Sequence, residues 1–181
     1  YGNDWIKVPH LNSLADESFV FENAYVTQPV CTPARASIMT GLFPHSAGPK
    51  VNKMNLPEDV PTIAELISED YLCGYLGKWH LGDDVIAQHG FDHWISTEDG
   101  HRNEYTKREY RTVMSDYHKY LVANGYEPDV ENAGTKIFSA HARGKLPAEH
   151  QMASYLAGEA ESFIGDHSDE PFMLYVSTFE P

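Results

Sequence analysis

"PFMLYVSTF", residues 171–179, decides the fold class. Its apolar residues run almost without interruption instead of alternating, so it reads as a strand covered on both faces. Such strands belong to parallel sheets packed between helices. "YLCGYLG" (71–77) is a second candidate strand, broken at Gly77 into the loop "KWHLGDD".

Helical patterns lie between and around these strands. "VPHLNSLADES" carries Pro9 in a first turn and an apolar stripe at Leu11, Leu14 and Ala15. A further helix follows Cys31 through "TPARASIMTG", with Pro33 in its first turn and Gly41 as its stop. Others are expected from about Pro61 to Glu69, from Glu104 to near Asn124-Gly125, and over 149–165. "FVFENAYV" (19–26) is rich in aromatic and β-branched residues and reads as a strand. Residues 83–104 read as irregular and 126–147 as loop. Together these make an α/β layer fold with a mainly parallel sheet flanked by helices. The sequence stops at Glu180-Pro181, directly after what reads as a central strand, so it is expected to be part of a longer polypeptide.

With 181 residues the chain suits a single domain with a real core. Its net charge of −14 argues against nucleic acid or an anionic membrane surface as a partner. No apolar run approaches the roughly 20 residues of a membrane span. An anionic small substrate remains open, because a few basic groups can invert the field inside a pocket. Cys31 and Cys73 allow one disulfide, worth about 4 kcal/mol in the chain-entropy model; two separate thiols are the favoured reading.

Two short stretches carry chemistry. In "PVCTPARASIMTG" (29–41), a helix beginning just after Cys31 would set that side chain at a helix N-terminus, where free N–H groups favour an anion. Arg35 follows one turn later on roughly the same face, and its planar guanidinium suits tetrahedral oxyanions. A thiolate phosphatase would place Arg six residues after Cys; here the spacing is four. In "GYLGKWHLG" (74–82), an extended backbone would turn Lys78 and His80 to one side and Trp79 to the other. The pair Asp83-Asp84 reads as a solvated loop. His89 and His93 have i,i+4 spacing, but Gly90 and Asp92 argue against a helix, so a zinc site is weakly supported. His10, His101, His118, His141, His150 and His167 read as isolated polar positions, and helix 104–124 as an ordinary amphipathic one.

"CTPARASIMTG" resembles the first signature of the sulfatases, Cys-x-Pro-x-Arg leading into a short helix that ends Thr-Gly. "GYLGKWHLG" resembles their second, Gly-Lys-x-His, and "HGFD" (89–92) and "PFMLYVSTFEP" resemble segments that follow it. The resemblance implies an alkaline phosphatase-like fold, incomplete here at both ends. On this reading residues 1–181 are part of a single sulfatase catalytic domain, and 93–148, which matches least, is the variable region of substrate preference. It also implies that a maturation enzyme oxidises Cys31 to Cα-formylglycine. The aldehyde hydrate, held on Ca2+, attacks the sulfur of a sulfate ester, and loss of a proton from its second hydroxyl expels sulfate. By position, Arg35 would hold the formylglycine and the developing charge. Lys78 would bind sulfate and the formylglycine oxygen, and His80 would accept the proton that drives sulfate release.

Of the family's metal ligands, only Cys31 (as formylglycine) is expected within the chain; the paired metal-binding aspartates are expected before it, and a further Asp-Asn or Asp-Asp pair, a catalytic Lys and a His after it. A metal cannot be held by residue 31 alone, and a loss of about 4 kcal/mol slows chemistry roughly a thousand-fold. The chain by itself is therefore expected to be inactive. Where the family has Gly and Thr around the second signature this sequence has Asp70 and Cys73. The implied partners are a sulfated small molecule or carbohydrate, the maturation enzyme and the rest of the polypeptide. The implied compartment is periplasmic, secreted or lysosomal. A phosphonate or phosphate monoesterase of the same superfamily and a non-catalytic folded piece are the alternatives.

Overall fold

The computed structural model describes residue 3 and residues 5–179. Three parallel strands form the sheet: β1 (Leu72–Gly77) at its centre, β2 (His93–Ser96) on one side and β5 (Phe172–Ser177) on the other. Alternation along these strands sends successive side chains to opposite faces. Cys73 and Tyr75 of β1, Trp94 of β2 and Met173 and Tyr175 of β5 share one apolar cluster. That cluster is closed by Ala36 and Met39 of α2 (Cys31–Thr40), Ala47 of α3 (Pro44–Ala47) and Ala64 of α4 (Ile63–Leu66). Leu76, Ile95 and Leu174 belong to the opposite cluster, packed against α5 (Asp116–Ala123) and α7 (Met152–Asp166). The result is a helix–sheet–helix sandwich, as the strand composition predicts.

Several elements differ from expectation, each for a physical reason. β1, buried from Cys73 to Gly77, is the doubly covered strand. β5 is an edge strand among the described residues, half-buried over Phe172–Tyr175, while Glu180 and Pro181 lie outside them. The predicted strand at 19–26 does not form: among the described residues no neighbouring edge accepts its hydrogen bonds, and Phe19, Phe21 and Tyr25 are exposed. It follows α1 (Pro9–Asp16), which forms as predicted yet buries no residue.

The helix from Pro61 contracts to α4. Thr62 and Glu65 close a capping box at its start, and Ile67 turns extended at its end. β2 arises within the stretch read as irregular because pairing with β1 supplies what its four residues lack in pattern. The long helix 104–124 shrinks to α5, preceded by 3₁₀ turns at Arg102–Glu104 and Arg108–Thr112. Side-chain bonds to the backbone break it: Asp83 takes the Thr106 N–H, and Ser115 accepts from His118 N–H as the α5 cap.

The predicted loop 126–147 contains a hairpin, β3 (Val130–Asn132) with β4 (Thr135–Ile137), followed by α6 (Ala140–Arg143). Ala133 and Gly134 both take positive φ in its two-residue turn. The helix expected over 149–165 is α7, one turn shifted at its start. Both cysteines are free, Cys31 exposed and Cys73 buried.

Candidate active site

Parallel strands place their carboxyl ends at one edge of the sheet, where α/β proteins build ligand sites. The register aligns Gly77 with Ser96 on one side and with Ser177 on the other. Gly77 has φ +109°, and a Cβ there would fall 2.0 Å from the Ser177 carbonyl oxygen, so the β1–β5 approach requires glycine. The chain leaves the sheet here, and Lys78, Trp79 and His80 follow.

Trp79 is fully buried and packs edge-on against Tyr75, Phe91 and Trp94, anchoring the loop in the core. The segment is not extended, as alternation would require, because His80 takes φ +58°. This unusual conformation is held from both sides. The His80 N–H donates to Asp84 Oδ1 at 2.7 Å, and the His80 carbonyl accepts from Thr32 Oγ1 at 3.2 Å. Lys78 is buried, its Nζ 3.8 Å from Glu98 Oε2 and 4.3 Å over the Phe179 ring.

α2 begins at Cys31 itself, with Val30 as its extended N-cap and Gly41 as its left-handed stop. Cys31 thus lies in the first turn, exposed, at the positive end of a ten-residue helix. Arg35 reaches the sheet from the next turn. Its Nη1 donates to the Lys78 carbonyl at 2.7 Å and to Ser177 Oγ at 2.8 Å. Tyr75 donates its hydroxyl to the same Lys78 carbonyl. Contrary to the simplest reading of the spacing, none of these Arg35 bonds goes to Cys31. Arg35 instead ties α2 to the ends of β1 and β5. The two segments that carry the predicted residues are therefore joined: α2 carries Cys31 and Arg35, the β1 loop carries Lys78 and His80, and bonds from Arg35 and Thr32 to the Lys78 and His80 carbonyls tie one to the other.

Asp83 and Asp84 are buried, which overturns their reading as a solvated loop. Asp83 accepts from Thr106 N–H and Oγ1 at 2.7 and 2.6 Å, and Asp84 carries the His80 backbone. Burial pushes the Asp84 carboxyl up to about 7. Burial also lowers the His80 imidazole to about 4, reinforced by His101, Lys78 and Arg35. Both His80 ring nitrogens are buried without a hydrogen-bond partner, and the ring stacks on His101 at 4.5 Å. The imidazole is thereby kept neutral, and its ring nitrogens are left to hydrogen-bond a group bound in the site.

Sequence reasoning did not find Glu98, His101, Tyr75 or Ser177. Each lies at or just beyond the carboxyl end of a strand or on its inner face, a signal that exists only once the strands are aligned. His118 is likewise buried, against expectation, with Nδ1 3.0 Å from Asp99. His89 turns left-handed beside Glu65, and His93 opens β2. Among the described residues no group of three or more His, Cys, Asp or Glu side chains could hold a metal ion. The donors among the described residues do not by themselves fit calcium. A cleft of about 640 Å³ lies away from this chemistry, between α1 and residues 18–21, and is lined mainly by apolar side chains.

Comparison with known proteins bears on the same residues. The chain is 38% identical over 144 residues to an ulvan-active sulfatase of Formosa agariphila, covering 75% of this chain and 28% of that protein. It is 31% identical over 132 residues to an N-acetylglucosamine-6-O-sulfatase of Bacteroides thetaiotaomicron, covering 72% and 22%. The chain thus spans less than a third of the length of either relative. Among solved structures, BT4656 in complex with its substrate D-glucosamine-2-N,6-O-disulfate superposes with a TM-score of 0.62 at 26% identity, over 99% of this chain and 31% of that one. The sheet and flanking helices are thus those of the alkaline phosphatase-like fold of these enzymes. The family model described as sulfatase matches residues 1–181 throughout, and the chain belongs to the sulfatase family.

Proposed function

We propose that the full-length protein hydrolyses a sulfate ester of a carbohydrate, using a Cα-formylglycine made from Cys31. The observation that carries this reading is the joining, at the carboxyl end of β1, of the two segments that carry Cys31, Arg35, Lys78 and His80, far apart in sequence. The saccharide substrates named for the relatives favour a sulfated carbohydrate over a simple aryl ester as the physiological class.

The formylglycine hydrate supplies the nucleophile, and the other residues serve the charge that moves to and from sulfur. Lys78 is a preorganised cation in a buried setting, where its field on a sulfuryl oxygen is stronger than in water. Arg35, braced through Nη1, brings the rest of its guanidinium to the same edge. The neutral His80 imidazole accepts the proton whose loss drives sulfate release; a bound sulfate dianion would raise its affinity for that proton and hold it near the site. Calcium is expected to be held with ligands from the rest of the polypeptide, so the 181-residue chain alone is proposed to be inactive. Residues 93–148, which carry Glu98 and His101, are proposed as the region that selects the sugar.

The test uses full-length protein made with and without the formylglycine-generating enzyme. Turnover of aryl sulfate and of 6-sulfated N-acetylglucosamine is expected only with it, with kcat/KM on aryl sulfate exceeding that on aryl phosphate. A decisive preference for phosphate would sink the sulfatase reading in favour of a phosphomonoesterase.

A further inference from the structure

Glu98 is buried in the turn that follows β2, with a side chain 8% exposed facing the 10% exposed side chain of Lys78. Its Oε2 is 3.8 Å from Lys78 Nζ and accepts no hydrogen bond from a described residue. A carboxylate in such a place costs desolvation that only a charge partner offsets. Beside an anion-binding lysine it also repels the anion, so surface chemistry gives no reason for it. The neighbouring Thr97 Oγ1 and both His80 ring nitrogens are buried without partners as well. Glu98 and His80, the two of these that interact with Lys78, thus keep open hydrogen-bonding capacity beside it.

The turn is rigid for reasons of its own. Asp99 receives the Arg102 Nη2–H and Ser115 N–H, each at 2.8 Å, and contacts His118 Nδ1 at 3.0 Å. Arg102 is fully buried and further bonded to Thr135 Oγ1 and to the Asp99 and Arg111 carbonyls. Two residues on from this anchor, His101 lies flat against His80, rings 4.5 Å apart and 18° from parallel.

We propose that Glu98 is a positioning residue for Lys78, and that the turn 97–101 sets both basic side chains of the site before an oxyanion arrives. Glu98 holds the ammonium in place; the oxyanion then shares it, since 3.8 Å is too long for a committed hydrogen bond. His101 fixes the plane of His80 in the same way, through stacking. The proposal rests on the sulfatase reading for its kinetic consequences, though not for the placement of Lys78 itself.

The experiment compares Glu98→Gln and Glu98→Asp in the matured full-length protein. Glu98→Gln keeps the shape and removes the charge. It is expected to lower kcat for aryl sulfate about tenfold without raising KM, and to let inorganic sulfate inhibit at lower concentration. Glu98→Asp is expected to recover part of kcat. His101→Phe, which keeps a stacking ring, is expected to exceed His101→Ala in kcat. Unchanged kcat and sulfate inhibition in Glu98→Gln would overturn the proposal, as would equal losses in the Gln and Asp variants. If the wild type turns over no sulfate ester, the sulfatase reading fails, and Lys78 is read directly. Its ammonium, labelled by reductive ¹³C-methylation, should give a displaced and narrower methyl resonance in Glu98→Gln, as expected of a side chain released from its partner; an unchanged resonance would overturn the positioning role.

Discussion

The stretch 5–30 is richer in apolar residues than the loop 78–84, 13 of 26 against 2 of 7, yet it is the loop that the fold buries. In the loop, Lys78, Trp79, Leu81, Asp83 and Asp84 are all buried, charged groups included. In the stretch, no residue is buried, and Trp5, Phe19, Phe21 and Tyr25 are each more than 70% exposed. Apolar character supplies a tendency to be covered, but the sheet supplies the cover. The loop is captured because β1 ends beneath it and α2, β2 and the turn 97–106 close around it. The stretch meets no such surface among the described residues.

Several substitutions sharpen or break this contrast. The largest effects belong to activity. In the matured full-length protein, Lys78→Ala is expected to lower kcat about a thousand-fold and His80→Ala about a hundred-fold or more, measured on aryl sulfate. Stability comes next. Trp79→Ala should cost about 3–5 kcal/mol in urea unfolding through the cavity it leaves. Gly77→Ala should cost about 3 kcal/mol or more, because its Cβ would meet the Ser177 carbonyl at a positive φ. Phe19→Ala, in the 181-residue chain, should fall within about 0.5 kcal/mol of wild type. In the full-length protein it should approach a core substitution if the rest of the polypeptide covers this face. Equal costs for Trp79 and Phe19 in the short chain would remove the distinction altogether.

A smaller effect concerns pH. Asp84 binds its proton more tightly folded, at about 7, than at its ordinary value of 3.8. The native state therefore carries more protons between these values, and this group's contribution to stability declines as pH rises through that window. His80 has the opposite slope: held to about 4 against an ordinary 6.5, it withdraws stability as pH falls through its own window. Asp84→Asn removes the first slope and leaves the second. Its melting temperature relative to wild type should therefore rise between pH 4 and pH 8, and a flat difference would contradict the burial argument.

The contrast also shows what the sequence could convey. β1, α1, α2 with its Gly41 stop and α7 were legible because periodicity and punctuation are local. Cys31, Arg35, Lys78 and His80 stood out because two short signatures carry them, and the fold ties those two segments together. The strand at 19–26 was misread because β-pattern without a pairing edge is only a tendency. The helix 104–124 was misread because Asp83 and Ser115 capture its backbone by contacts that no window of residues 104–124 contains. Asp83-Asp84 looked solvated because adjacent carboxylates usually are; their partners, Thr106 and the His80 backbone, appear only after the loop closes. Glu98 and His101 were invisible for the same reason, since they reach the site only through parallel alignment of β1 and β2.

The central claim is that residue 31 is the nucleophile's precursor. Its most direct test is peptide mass spectrometry across residues 29–41 of catalytically active full-length protein, paired with the activity of Cys31→Ala. The account predicts an aldehyde or its hydrate in place of the thiol, in proportion to specific activity, and no turnover in the variant. A fully active protein whose Cys31 remains an intact thiol would contradict it.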